Sequence, residues 1–263
     1  MYDFAFIFAG FAVGLIVGLT GVGGGSLMTP LLIFGFGIKP HLAIGTDLLF
    51  AAFTKMGGTV SLARQRVVPW RLVGALSMGS IPAALVTLYV LHELGPANPA
   101  VQKAMTLTLG IALLFTALAT LFKAIQGKKI PRHIAGAQLE EATRPRHWSL
   151  PVLFGTVIGS LVTLTSVGAG AIGVTALILL YPLLPLPRIV AADIAYAVPL
   201  TLVAGLGHAS LGSVDWPLLG KLLIGSLPGI WLGSQLVHKT PDRIIRTLLS
   251  LLLAYAGVKL ITI

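Results

Sequence analysis

Long apolar runs alternate with short polar interruptions along almost the whole chain. They lie at about 4–20, 24–37, 42–63, 71–91 and 102–122, and again at about 149–164, 168–182, 189–211, 216–237 and 243–262. A helix needs about 20 residues to cross the hydrocarbon core of a bilayer, so these runs predict an all-α integral membrane protein. Between the two sets of five lies the one long polar stretch, Lys123 to Trp148, which holds Lys128, Lys129, Arg132, Glu140, Glu141, Arg144 and Arg146. The pattern divides the chain into a first half at 1–122, a basic linker at 123–148 and a second half at 149–263. The opening run, Phe4 to Leu19, follows Asp3 and lacks the positively charged leader of a signal peptide, so it is expected to be a structural segment.

Composition agrees with a lipid solvent. Of 263 residues, 56% are hydrophobic and 10% charged, with a mean hydropathy of +0.95, whereas soluble chains carry roughly 25% charged residues. Cysteine is absent, which excludes disulfides, thiolate metal sites and persulfide chemistry. The formal charge of +10 is concentrated in short loops beside the apolar runs, where Lys and Arg record orientation; no nucleic-acid partner is expected.

The two halves are copies. Displaced by 145 positions, Gly10, Gly14, Leu19, Thr20, Val22, Gly23 and Gly25 meet Gly155, Gly159, Leu164, Thr165, Val167, Gly168 and Gly170. Displaced by 146, Asp47 meets Asp193, Trp70 meets Trp216, Gly74 meets Gly220, and Gly79-Ser80-Ile81-Pro82 meets Gly225-Ser226-Leu227-Pro228. A register held from Gly10 to Pro82 marks an internal repeat.

Charge placement predicts that the copies are inverted. Arg64, Arg66 and Arg71, the 123–147 linker, and Lys239, Arg243 and Arg246 mark cytoplasmic loops, while the loops at 92–101 and 212–215 have Glu93 and Asp215 and no Lys or Arg. Five segments per half is an odd number, so the second copy enters from the opposite face. Both termini are then expected on the periplasmic or extracellular side of a cell inner membrane. Lys39 is the one charge out of place, on a loop that should be outside.

In each half a glycine cluster, Gly21-Val22-Gly23-Gly24-Gly25 and Gly168-Ala169-Gly170, interrupts the run between the first two segments. These segments are expected to be broken, or re-entrant, at a glycine-rich turn. Irregular backbone at membrane depth survives only where protein shields it or where it lines a wet cavity. The helix that follows each cluster, from Ser26 or Ala171, would point unpaired amides and a positive dipole end toward the break, a setting that binds anions. Broken helices at the interface of inverted repeats are a recurring binding-site design in secondary transporters. A compact oxyanion is therefore the expected substrate.

The strings Leu19-Thr20-Gly21-Val22-Gly23-Gly24-Gly25, Gly45-Thr46-Asp47-Leu48-Leu49, Val68-Pro69-Trp70-Arg71, Gly79-Ser80-Ile81-Pro82 and Val214-Asp215-Trp216 resemble the TauE/SafE family of membrane transporters, over nearly the whole chain. The resemblance implies export of sulfite or movement of a sulfonate such as sulfoacetate, driven by the proton gradient. Pro69 stands where the second half has Asp215, which argues against Asp215 as one of a functional pair.

The candidate substrate-binding residues are Thr20, Gly21, Gly23, Gly24, Gly25, Ser26, Lys55, Thr165, Ser166, Gly168 and Gly170. Lys55 lies about halfway along the third run, where a charge costs roughly 2.5 kcal/mol or more and is normally kept for a partner or a pathway. It would hold the anion's charge; the plainer alternatives are pairing with Asp47 or snorkelling. Asp47 precedes it by eight residues, about 12 Å along a helix, which favours separate roles. Asp47 and Asp193 are coupling candidates that should lie toward opposite faces, with helix capping as the alternative. His208 is a third coupling candidate, or a structural group near the outer face. The hydroxyls at the breaks, and Gly10, Gly14, Gly155 and Gly159, could instead serve helix packing. Trp70, Trp148 and Trp216 suit interfacial anchors, and Pro82 and Pro228 suit matched kinks.

An anion channel without alternating access shares these features. A transporter of a different carboxylate or of a metal cation is a weaker alternative, and the metal cation is disfavoured because Lys55 sits centrally and intramembrane carboxylates are few. No His-x-x-x-His or His-Glu-x-x-His spacing supports an enzyme, and no cofactor or resident metal is expected. The expected partners are a small anion, the lipid bilayer and protons; a homo-oligomer is compatible with the sequence.

Overall fold

The computed structural model describes residues 2–20, 25–126, 149–236 and 242–262, and among these every regular element is a helix. In chain order they are α1 (Tyr2–Thr20), α2 (Gly25–Phe36), α3 (Pro40–Arg64), α4 (Trp70–Leu94), α5 (Pro99–Gln126), α6 (Ser149–Thr165), α7 (Ala171–Leu180), α8 (Leu186–Ser210), α9 (Trp216–Leu236) and α10 (Asp242–Ile261). The apolar runs of the sequence and these helices coincide to within a few residues. Of the expected linker at 123–148, residues 123–126 continue α5, while 127–148, with Trp148, lie outside the described residues, as does Lys239.

Among the described residues, three helices are long and apolar enough by themselves to cross a bilayer: Trp70–Leu94, Pro99–Phe122 and Leu186–Ser210. By contrast α2 and α7 have 12 and 10 residues. At 1.5 Å per residue they reach about 18 and 15 Å, roughly half of a 30 Å hydrocarbon core. The outer surface suits lipid. Phe8, Met78, Val86, Phe115, Leu153, Leu179, Leu227, Leu248 and Tyr255 all face outward, an apolar display that a water-soluble monomer does not carry. Trp70 and Trp216, at the starts of α4 and α9, are 59% and 57% exposed, as interfacial anchors are.

Glycine decides which helices touch. A Cβ on Gly10 would stand 3.0 Å from Leu222 Cα, and one on Gly14 2.8 Å from Ser226 Cα, so α1 lies directly against the backbone of α9. In the same way Gly155 and Gly159 meet Leu76 and Ser80, at 3.2 and 2.6 Å from their Cα atoms, so α6 lies against α4. Residue numbers rise together along both contacts, so each pair is parallel. Without Cβ atoms the backbones approach closely, and dispersion along the seam replaces the hydrophobic effect that lipid cannot supply. The packing role of these four glycines is as the sequence suggested.

The remaining long helices cross antiparallel. Along α3 and α8 the contacts run Gly45 with His208, Leu49 with Gly205, and Gly58 with Ile194. Along α5 and α10, Gly110 meets Leu260 and Ile261, while Gly257 meets Leu114. Two apolar cores result. One gathers Val13, Met28, Leu32, Leu113, Leu222 and Leu253, and the other Leu76, Ile158, Val162, Leu177 and Tyr181. Helix α3 is the wall between them, giving Leu49 and Phe50 to the first and Ile44 and Leu48 to the second.

Candidate anion site at the helix break

The break between α6 and α7 is built by its own backbone. Ser166 has φ of 59°, and Gly168 and Gly170 have φ of 130° and 131°. Glycine enters that half of conformational space without steric cost; Ser166 does so as a non-glycine residue, a setting that usually needs surrounding structure to enforce it. Thr165 supplies part of that enforcement. Its hydroxyl lies 2.6 Å from the Leu161 carbonyl oxygen and accepts from the Val167 amide at 3.1 Å, so it ties the end of α6 to the loop.

Helix α3 presents its charged groups to this loop. Asp47 is fully buried, and Thr29 of α2 donates a hydrogen bond to its Oδ2. The Ser166 side chain lies close to the same carboxyl group, though neither Ser166 Oγ nor Asp47 Oδ1 has a hydrogen-bond partner. Two turns further on, Lys55 is 8% exposed and its Nζ lies 3.4 Å from the Ala169 carbonyl oxygen. The loop therefore runs along α3 from Asp47 to Lys55.

Lys55 does not serve Asp47 alone. Asp193 of α8 stands nearer the level of Lys55 than Asp47 does. The antiparallel contacts explain this: Asp47 lies level with Gly205 to His208, Asp193 lies level with Gly58, and Lys55 falls between. Asp193 is also seated on α7, because a Cβ on Gly173 would collide with Asp193 Oδ1 and would come 3.3 Å from the Tyr196 hydroxyl. Each aspartate thus touches the first part of a short helix, Asp47 through Thr29 of α2 and Asp193 through Gly173 of α7.

The other candidates take simpler places. Ser26 is buried near the start of α2, Gly25 opens α2 and Thr20 closes α1, while Gly21, Gly23 and Gly24 lie outside the described residues. His208 is buried with its Nε2 2.9 Å from the Thr163 carbonyl oxygen, linking α8 to α6 well away from Lys55. Asp215 caps α9: its Oδ1 accepts from the Leu218 amide at 3.0 Å, and its own amide donates to the Thr46 hydroxyl at 3.0 Å. The residue facing Pro69 in the repeat is therefore a helix cap.

Thr29, Gly173 and Tyr196 stand at the candidate site, beside Asp47 and Asp193, and were not singled out from the sequence. Thr29 and Gly173 sit in short apolar helices where small and hydroxyl residues are ordinary packing groups. Tyr196 follows Asp193 by three residues, a helical neighbour spacing, and that was the one local signal available.

The chain is similar to known proteins over nearly its whole length. The family model described as "Sulfite exporter TauE/SafE" matches residues 6–260. In Bacillus subtilis (strain 168), "Probable membrane transporter protein YjnA" is 36% identical over 264 residues, covering 97% of this chain and 98% of that protein. "Probable membrane transporter protein YdhB" and "Probable membrane transporter protein YunE" from the same organism are each 26% identical, covering 95% and 96% of this chain. No solved structure matches. With a buried ammonium and two carboxylates gathered at a helix break inside a lipid-facing bundle, and with a family match across the chain, the protein is a membrane transporter belonging to the TauE/SafE family.

Proposed function

We propose that the protein carries a small anion, sulfite or an organosulfonate, across a cell inner membrane by proton-coupled secondary transport. The observation that carries this is Lys55, a buried ammonium brought to the α6–α7 break at Ala169. A buried cation is costly unless it has a partner or a task, and this one stands beside a short helix whose start attracts negative charge. The name of the family model supports sulfur oxyanions as the first class to try.

Inverted halves are the second part of the proposal. Supporting it, the contact of Gly10 with Leu222 recurs as that of Gly155 with Leu76, and Gly14 with Ser226 recurs as Gly159 with Ser80, each under the displacements of 145 and 146 that align the sequences. The equivalent helices α3 and α8 run antiparallel, as inversion requires. In this arrangement α1–α2 and α6–α7 form re-entrant pairs whose breaks approach the bilayer middle from opposite sides.

The test is uptake into proteoliposomes against a panel of sulfite, sulfate, sulfoacetate, taurine and short carboxylates, with and without a proton gradient. Saturable uptake of a sulfur oxyanion, with counterflow and acceleration by the gradient, is expected. Flux without saturation or counterflow would identify a channel, and uptake of none of the anions would overturn the proposal.

A further inference from the structure

A helix start and a buried hydroxyl face each other at α7. Tyr196 is fully buried, its hydroxyl has no hydrogen-bond partner, and that hydroxyl lies against Gly173 in the first turn of α7. The absence of a side chain on Gly173 is what leaves room there for Asp193 Oδ1. Lys55 is held at Ala169, two residues before α7 begins, and lies one turn from Gly58, which packs on Ile194 beside Asp193. A carboxylate thus sits among a helix N-terminus, a phenolic donor and an ammonium. Those are the groups a free oxyanion would use.

We infer that Asp193 is a tethered anion, whose carboxylate occupies the seat taken by the transported oxyanion and must accept a proton and withdraw before the substrate enters. This rests on the proposed function above and deepens it. Two anions facing one ammonium in a water-poor site repel each other, and protonating the carboxylate removes the conflict. The neutral carboxyl gives up its claim on Lys55, and the unpartnered Tyr196 hydroxyl is left to meet the substrate. Coupling then arises from competition for a single cation, with one proton bound for each anion bound.

Among the described residues, few other ionisable groups stand near Asp193. Helix α3 offers Lys55 and, further along, Asp47; α8 itself offers Tyr196; α6 and α7 carry none. The groups of α4, namely Arg71, Tyr89, His92 and Glu93, are all exposed. On α8, Arg188 lies near the helix start and His208 fifteen residues beyond Asp193, about 22 Å along the axis. His41 and Arg64 lie at the two ends of α3.

The experiment measures binding of sulfite and of methanesulfonate to the purified full chain between about pH 5 and pH 8, for wild type, Asp193→Asn, Asp193→Ala and Asp215→Ala. Methanesulfonate keeps its charge over this range; for sulfite, the ratio of variant to wild type cancels the ligand's own titration. Wild-type affinity should fall with rising pH, by up to about tenfold per pH unit, as a single linked proton dictates. Both Asp193 variants should lose that slope and bind more tightly than wild type at the alkaline end, while Asp215→Ala, a change at the α9 cap, keeps it. In weakly buffered solution, wild type should also take up about one proton per anion bound. That readout needs no variant, so it decides the matter even if the substituted chains do not fold. An unchanged slope in the folded Asp193 variants, or anion binding by wild type without proton uptake, overturns the inference and leaves anion transport standing. Binding of neither anion by any of the proteins removes both.

Discussion

Lys55 in the middle of α3 and Ala169 in the α6–α7 break are joined across the protein, the ammonium 3.4 Å from the carbonyl oxygen. A charge-assisted hydrogen bond contributes roughly 1.5–3 kcal/mol. Lys55→Ala is therefore expected to weaken anion binding by at least about tenfold, while the variant still inserts and elutes as wild type does. Equilibrium binding on a normally folded variant checks this, and unchanged affinity would remove Lys55 from the site.

The Thr29 hydroxyl satisfies a carboxylate oxygen of a fully buried aspartate. Thr29→Val keeps the shape and removes the donor, which should cost about 1–3 kcal/mol because the acceptor stays buried. Thr29→Ser should keep most of the stability. Thermal unfolding in detergent separates the two; equal midpoints for both variants would mean that the bond contributes nothing.

Gly14 and Gly159 stand at matched points of the two parallel seams, whereas Gly74 and Gly220, also a matched pair, have open space where a side chain would go. Leucine at either seam position must separate two backbones, so a loss at or beyond the upper end of the roughly 1–3 kcal/mol typical of overpacking is expected. Leucine at Gly74 or Gly220 should be tolerated far better. Unfolding midpoints of the four single variants test the contrast, which vanishes if all four behave alike.

Asp215 caps α9 through the Leu218 amide. Asp215→Ala should lower stability by about 1 kcal/mol, the usual cost of losing such a cap, and leave anion selectivity and proton coupling unchanged. A changed substrate profile or altered coupling would assign Asp215 a part in transport.

The natural absence of cysteine makes orientation directly measurable. In intact cells, Glu93→Cys should react with a membrane-impermeant maleimide, and Arg64→Cys should react only after the membrane is opened. The reverse pattern would invert the proposed topology.

Much of the helix layout was legible in the sequence because lipid imposes long apolar runs, and the Lys123 to Trp148 stretch interrupts them visibly. The seam glycines were legible because the repeat states them twice, at Gly10 and Gly14 and again at Gly155 and Gly159. The site itself was legible only through residue types that are expensive in a membrane, which pointed to Lys55, Asp47 and Asp193. Their partners were hidden. That Thr29 meets Asp47, or that Gly173 makes room for Asp193, depends on contacts between helices that no local spacing encodes. The cap at Asp215 was obscured by comparison with Pro69, which occupies the same helix-start position without a side-chain hydrogen bond.

The glycine seams carry a mechanical consequence. Each binds a helix of the first half to a helix of the second, α1 to α9 and α4 to α6, so the halves are laced together and cannot tilt past one another as separate blocks. Glycine-to-backbone fits of this closeness would have to be torn open at both places for such a motion. In the proposed transport cycle, freedom to expose the site alternately would fall to pieces outside the lacing, above all the short helices α2 and α7, whose first parts meet the two aspartates. On that reading the moving parts of the proposed cycle are no larger than this pair of plugs.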